Sequence, residues 1–168
     1  MRRLLVVHHS PTRSLQSLTD GVVSGAHDEM ITGVEVVVIE ALAFARGEAG
    51  HEDLLHADGY VLGTTANFGY MSGALKHVFD STFLQVGGAL SDDGSGQATA
   101  GVTAGRPFGL YVHGRYDLTG AIRSVLAITG ALGWVRGFDV LEAMGEVTDA
   151  DRESAYELGG TIAALLAR

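Results

Sequence analysis

Apolar positions along this chain switch repeatedly between two patterns. Leu4-Leu-Val-Val7 is a continuous apolar run, as expected for a parallel strand buried on both faces. Leu15, Leu18, Val22 and Ala26 then recur at helical spacing. Val34-Glu-Val-Val-Val-Ile39 is β-branched and predicts a second strand. Residues 41–56 fit a loop and a short helix. Tyr60-Val-Leu62 predicts a third strand, followed by a loop over Gly63–Gly73 and a helix to the vicinity of Phe83. Phe108-Gly-Leu-Tyr-Val112 predicts a fourth strand, and Leu118, Ile122, Val125 and Thr129 trace one face of the next helix. Phe138-Asp-Val-Leu141 predicts a fifth strand, with Trp134 just before it. Thr148 with Asp151 three residues on resembles a capping box, ahead of a last helix striped by Leu158, Ile162 and Leu165.

Strands that alternate with helices predict an α/β fold with a parallel sheet, right-handed crossovers and helices on both faces. The doubly wound order 2-1-3-4-5 suits five strands and gives a three-layer sandwich in one domain over residues 1–168. Its switch point lies between strands one and three. The loops after Val7 and after Leu62 are therefore expected side by side at the carboxyl edge, where open α/β sheets bind ligands.

Composition narrows the ligand. A formal charge of −9 makes nucleic acid and anionic membrane poor partners, and favours a neutral aromatic substrate or a basic protein. No cysteine is present, which excludes disulfides, thiolate catalysis and cysteine-ligated metals and fits a cytoplasmic protein. The apolar run at Leu4–Val7 is too short for the core of a signal peptide, and no run is long enough to span a bilayer.

Three loops carry candidate chemistry. In Gly63-Thr-Thr-Ala-Asn-Phe-Gly-Tyr-Met-Ser-Gly73, backbone amides and small hydroxyls can border a flat polar ring on which Phe68 and Tyr70 pack. In Ser10-Pro-Thr-Arg-Ser-Leu15, hydroxyls at Ser10, Thr12 and Ser14 precede a helix N-terminus, and Arg13 adds a cation, the requirements of a terminal phosphate. The plainer alternative is that a hydroxyl there only caps the helix. In His113-Gly-Arg-Tyr-Asp-Leu-Thr-Gly120, Gly114 permits close backbone approach and Tyr116 can stack, while Asp117 or Thr119 caps the following helix. His113 is also a candidate proton donor by its near-neutral intrinsic pKa. His8 and His9 are adjacent on a strand and point to opposite faces, so they do not make a shared metal site. The glycine- and alanine-rich segment 85–105 is long for a helix–strand connection and fits either a flap beside the site or a plain surface segment.

Other functions of this topology lack their residues. The loop after strand one has no glycine, so it is not a dinucleotide fingerprint. The acidic cluster of a phosphoacceptor receiver is missing, since His8-His9 and Gly63-Thr64 stand in its place. No Gly-x-Ser-x-Gly nucleophile elbow occurs.

Taken together, the loops resemble those of the flavodoxin-like superfamily, and more particularly its NAD(P)H-dependent FMN and quinone reductases. The stretch Gly63-Thr-Thr-Ala-Asn-Phe-Gly-Tyr-Met-Ser-Gly-Ala-Leu-Lys76 is similar to that branch's second flavin loop, in which Pro-Thr, an aromatic or basic residue and Phe-Gly lead into a helix bearing Leu-Lys. The resemblance implies that Ser10, Thr12, Arg13, Ser14 and Leu15 hold the FMN phosphate. It implies that Thr64, Thr65, Ala66, Asn67, Phe68 and Gly69 border the isoalloxazine ring, and that His113, Gly114, Tyr116 and Asp117 close its other side. It further implies NAD(P)H as electron donor, a quinone or free flavin as acceptor, no obligatory catalytic acid or base, and a homodimer. A flavodoxin-type electron carrier working with a redox protein, and a flavin-free binding module, are the alternatives within the same fold. Three positions depart from the family's pattern. Thr65 stands where proline is usual, Pro11 removes an amide donor from the phosphate loop, and the segment before strand four has no tryptophan, Phe83 being the nearest aromatic.

Overall fold

A computed structural model of the protein describes residues 1–87 and 101–167. In chain order the elements are β1 (Arg2–His8), α1 (Arg13–Ala26), β2 (Val34–Glu40), α2 (Leu42–Ala45), α3 (His51–His56), β3 (Gly59–Asn67), β4 (Tyr70–Met71), α4 (Gly73–Val86), β5 (Pro107–Gly114), α5 (Thr119–Ala131), β6 (Val135–Arg136), β7 (Leu141–Met144) and α6 (Asp149–Leu166). The sheet runs β2-β1-β3-β5, with β6 and β7 both pairing with the outer side of β5. All of these pairs are parallel. This is the expected doubly wound order, with the predicted fifth strand formed in two pieces.

The predicted strand over Phe138–Leu141 is thereby corrected. Phe108 pairs with Arg136 and Tyr111 with Leu141, so two more residues separate the outer pair than the inner one. The excess bulges out around Phe138, which packs on the core beneath α6. An edge strand has no second neighbour to hold it in register, so it tolerates the break.

Two apolar cores flank the sheet. On one face α1 and α6 cover Leu4, Val6, Val61 and Tyr111 through Leu18, Val22, Leu158 and Ile162. On the other, α2 to α5 cover Leu5, Leu62, Leu110 and Val112 through Phe44, Leu75, Val78 and Val125. Helices α1 and α6 meet closely because glycine lies at the contact. A Cβ on Gly25 would overlap the Tyr156 carbonyl, and one on Gly159 the Val22 carbonyl. The predicted capping box opens α6: the Thr148 hydroxyl accepts from the Asp151 amide, while the Asp151 carboxylate accepts from Thr148 N.

Trp134 serves the amino edge of the sheet, remote from the ligand edge. Its ring stacks on Tyr60 with centroids 3.8 Å apart, and its Nε1 donates to Thr103 Oγ1 at 2.9 Å. Most of segment 85–105 lies outside the described residues. Of the part described, Gln85 and Val86 belong to α4, and Thr103 is buried. Among the described residues no helix is long and apolar enough to cross a membrane.

Candidate functional site

The stretch expected as a loop over Gly63–Gly73 is mostly strand and hairpin. β3 runs on to Asn67, turns through Phe68-Gly69 and returns as β4, with Ala66 opposite Met71 and Asn67 opposite Tyr70. Both turn residues have positive φ, 50° at Phe68 and 74° at Gly69. That is the two-residue turn whose twist matches a hairpin, but its first position normally takes Asn, Asp or Gly. Phenylalanine there is disfavoured by about 1–2 kcal/mol, and its side chain is fully exposed. Sequence periodicity missed the strand extension because Gly63-Thr-Thr-Ala-Asn67 carries no large apolar residue.

Two adjacent threonines in this stretch have different roles. Along β3, Leu62 packs in the core under α4, and Val61 in the core under α1 and α6. Alternation puts Thr64 on the α4 side and Thr65 on the α1 side. Thr64 is fully buried; its hydroxyl donates to the Thr65 carbonyl at 2.9 Å and accepts from Ser72 N at 2.9 Å. Ser72 in turn caps α4 by accepting from Leu75 N. Thr64 thus pins the hairpin to the helix, and its side chain does not face the ligand edge. Thr65 is 7% exposed, and its Oγ1 is the one buried side-chain polar atom without a hydrogen-bond partner among the described residues. Leaving a buried hydroxyl unpaired costs about 1–3 kcal/mol.

The loop after β1 reaches the same edge. Thr12 is the N-cap of α1, its hydroxyl accepting from Leu15 N at 3.3 Å. The capping alternative therefore holds for Thr12. It leaves the amides of Arg13 and Ser14, which have no intrahelical partner, for another acceptor. No acidic residue occupies the first turn of α1, and Arg13 is exposed there. The Leu15 side chain is fully buried in the core and contributes only its capped backbone. The Ser10 hydroxyl turns inward, 3.0 Å from His8 Nδ1 and 2.7 Å from Thr19 Oγ1.

The third loop supports the hairpin from the other side. Thr65 pairs across the sheet with His113. The His113 ring donates from Nε2 to the Gly145 carbonyl at 2.8 Å, and Gly145 N donates to the Gly114 carbonyl. His113 thus anchors the turn after β7. On its Cβ side Gly114 is packed against protein: an added Cβ would come within 2.9 Å of Ala66 Cβ and 2.7 Å of Leu118 Cδ2. The N-cap position of α5 is Leu118, which has no side-chain cap; Asp117, one residue earlier, accepts from Thr119 N at 2.8 Å, so it satisfies the first helical amide from just outside the helix. The Thr119 hydroxyl, and after it the Thr119 amide, hold the Asp117 carboxyl below the usual range. Gly120, at the start of α5, is the missed residue. A Cβ there would overlap the Gly69 carbonyl, so the hairpin tip rests on the first turn of α5. Nothing in the sequence joins Gly69 to Gly120, because only the fold brings them together.

The result is an edge with Thr65, Arg13 and the α1 amides on the α1 side and an aromatic rim above it. Phe68, Tyr70 and Tyr116 are all exposed, and the Arg115 guanidinium lies 5.8 Å from the Tyr116 ring centroid. Phe83 is elsewhere, in the last turns of α4 beside Leu54 and Leu132. His8 and His9 point apart as expected, His9 Nδ1 lying 3.2 Å from Glu40. No group of three or more metal-binding side chains occurs among the described residues.

No family model matches the sequence. Solved structures match it in fold. A flavodoxin from the domain Archaea superposes with a TM-score of 0.74 at 14% identity, covering 99% of each chain. A WrbA-like flavodoxin protein from Agrobacterium tumefaciens gives 0.70 at 19% identity, covering 99% of this chain and 98% of its own. The flavodiiron core from Synechocystis gives 0.71 at 16% identity and covers 98% of this chain, which spans only 36% of that longer one. The fold is flavodoxin-like.

Proposed function

We propose that this protein is an FMN-binding flavoprotein, acting as an NAD(P)H-dependent reductase of quinones or free flavins. The observation that carries the reading is the Thr65 hydroxyl, unpartnered among the described residues. It lies at the carboxyl edge on the side of the α1 N-terminus, where an anion and a hydroxylated chain would supply its missing hydrogen bond. Thr65 replaces the family's usual proline, so this chain has exchanged a rigid residue for a polar contact.

The residues fit the group as follows. The Arg13 and Ser14 amides and the Arg13 guanidinium would hold the phosphate. Thr65 would bond the phosphate or the chain next to it. Backbone of Ala66 and Asn67 would border the ring, with the Phe68-Gly69 turn and Tyr116 on its flanks. The chemistry supplied by a bound flavin is hydride acceptance from a nicotinamide and electron delivery to an acceptor. The protein's part is to orient, to exclude water with the aromatic rim and to keep the edge rigid. Rigidity comes from Thr64, Gly120 and His113, each tied to a neighbouring element.

The test is a titration of purified protein with FMN and with riboflavin, read by quenching of flavin fluorescence. Saturable FMN binding at least tenfold tighter than riboflavin is expected, followed by NAD(P)H oxidation when a quinone is added. Absence of FMN binding overturns the reading in favour of a flavin-free module. Binding without turnover on any quinone or flavin, but with rapid exchange with a redox protein, assigns the protein as an electron carrier instead. The acidic charge of −9 favours that second reading, since it suits a basic partner.

A further inference from the structure

Ser10 is joined to the interior by a chain of hydrogen bonds that helix capping does not need. The Tyr111 hydroxyl lies 2.8 Å from Thr19 Oγ1, Thr19 Oγ1 lies 2.7 Å from Ser10 Oγ, and Ser10 Oγ lies 3.0 Å from His8 Nδ1. Tyr111 is fully buried, and burial pushes its phenol well above its usual range, so it remains a hydroxyl. Its ring occupies the space left by Gly63, where a Cβ would overlap it. The glycine that opens the candidate flavin motif therefore exists to admit this tyrosine.

Hydroxyl valence gives the chain a direction. A serine has one hydrogen and two acceptor sites. If His8 Nδ1–H and the Thr19 hydroxyl both donate into Ser10, while the Tyr111 hydroxyl, which also lies near Ser10, donates to Thr19, the Ser10 hydrogen points away from all three. Thr19 has a choice, since its hydroxyl is also 3.0 Å from the Leu15 carbonyl. Donation to Leu15 turns the Ser10 hydrogen inward to Thr19, whereas donation to Ser10 frees it. We propose that Tyr111, Thr19 and His8 are positioning residues that aim the Ser10 hydroxyl at a bound phosphate, and that phosphate binding is coupled to proton uptake by His8. The proposal rests on the phosphate reading above.

An anion accepting from Ser10 would align the whole chain toward itself, Tyr111 to Thr19 to Ser10, with His8 as second donor. Aligned chains polarise one another and strengthen each bond. His8 borders a cleft with Ser10, Gln16 and Asp20, so its ring can exchange protons. The charged groups around it are Glu40, opposite it on β2, Asp20 from α1, and His9 beside it on β1. Burial lowers its affinity for a proton, with Glu40 and Asp20 opposing and His9 adding to the effect. A nearby anion reverses part of that penalty, and linkage makes the effect reciprocal.

The probe is sulfate, which stays doubly charged across the range in which histidine titrates, together with FMN and riboflavin. The His8 ring titration is followed by NMR with and without sulfate. FMN and riboflavin affinities are measured for wild type, Tyr111→Phe, Thr19→Val and His8→Gln. Sulfate is expected to move the His8 midpoint to higher pH, and less so in Tyr111→Phe. Each variant should weaken FMN about threefold to tenfold and leave riboflavin within twofold, since a merely structural loss would weaken both. An unmoved His8 midpoint, or an unchanged ratio of FMN to riboflavin affinity, overturns the relay even if FMN binds. A sulfate response without FMN binding overturns the flavin reading and leaves the relay standing. No response to either ligand overturns both.

Discussion

Thr64 and Thr65 share a side chain and differ by one position, and the pleat sends them to opposite faces. Thr64 has both its hydrogen bonds, so Thr64→Val would leave the Ser72 amide unpaired in the interior. A loss of about 1–3 kcal/mol in urea unfolding is expected. Thr65→Val removes a hydroxyl that has no partner among the described residues, and the same measurement should show no loss and a gain of up to about 1 kcal/mol without ligand. The same substitution should weaken FMN at least fivefold relative to riboflavin. If Thr65→Val destabilises as much as Thr64→Val, Thr65 has an internal partner and the ligand argument fails.

At the scale of elements, the hairpin turn and the α1–α6 contact both depend on glycine, for different reasons. Gly69 has open space around its Cβ direction, so crowding is not what forbids a side chain there. Its φ of 74° is. Gly69→Val is expected to destabilise by at least about 1–2 kcal/mol through backbone strain and to weaken FMN by displacing the turn; unchanged stability and affinity would contradict this. Gly159 sits within α6, where alanine has the better helix propensity by about 1 kcal/mol. Against this, a Cβ there meets the α1 backbone, and overpacking costs about 1–3 kcal/mol. Because backbone cannot rotate aside, the clash wins, and Gly159→Ala should lower the urea midpoint. Gly130 in α5 is exposed, with nothing within 4 Å of an added Cβ. Gly130→Ala should therefore raise stability by about 0.4–1 kcal/mol.

For the whole molecule, the proposed ligand and the proton would act on the same equilibrium. If FMN binds as proposed, a hundred times its Kd should add about 2.7 kcal/mol, an expected rise in Tm of roughly 5–10 °C for a chain of this size. The His8 ring, depressed below its ordinary value in the folded state, favours the neutral form. The folded protein then binds fewer protons than the unfolded chain. Its contribution to stability is full above the ordinary histidine pKa of about 6.5 and is lost as pH falls through the lower folded value. Wild type should therefore lose more stability than His8→Gln between pH 7.5 and 5.5. Sulfate should shrink that difference, and urea unfolding at the two pH values reads it directly.

The layered α/β fold was legible in the chain, because buried parallel strands and amphipathic helices write distinct periods into it. The cap at Thr148 was legible too, as a small polar residue with Asp151 three positions on; the cap at Thr12 was legible only as one of two readings of the same hydroxyls. Local patterns could not show that β3 continues through Gly63–Asn67, since small residues carry no periodicity, nor that the edge strand breaks at Phe138. Tertiary structure alone decided the character of the site. It set Thr64 inward and Thr65 unpaired, rested Gly69 on Gly120, and placed Tyr111 against Gly63 and, through Thr19, behind Ser10. Gly69 and Gly120, and Tyr111 with both Gly63 and Thr19, lie dozens of residues apart in the chain, and sequence spacing holds no information about contacts that only the crossing of strands and helices creates.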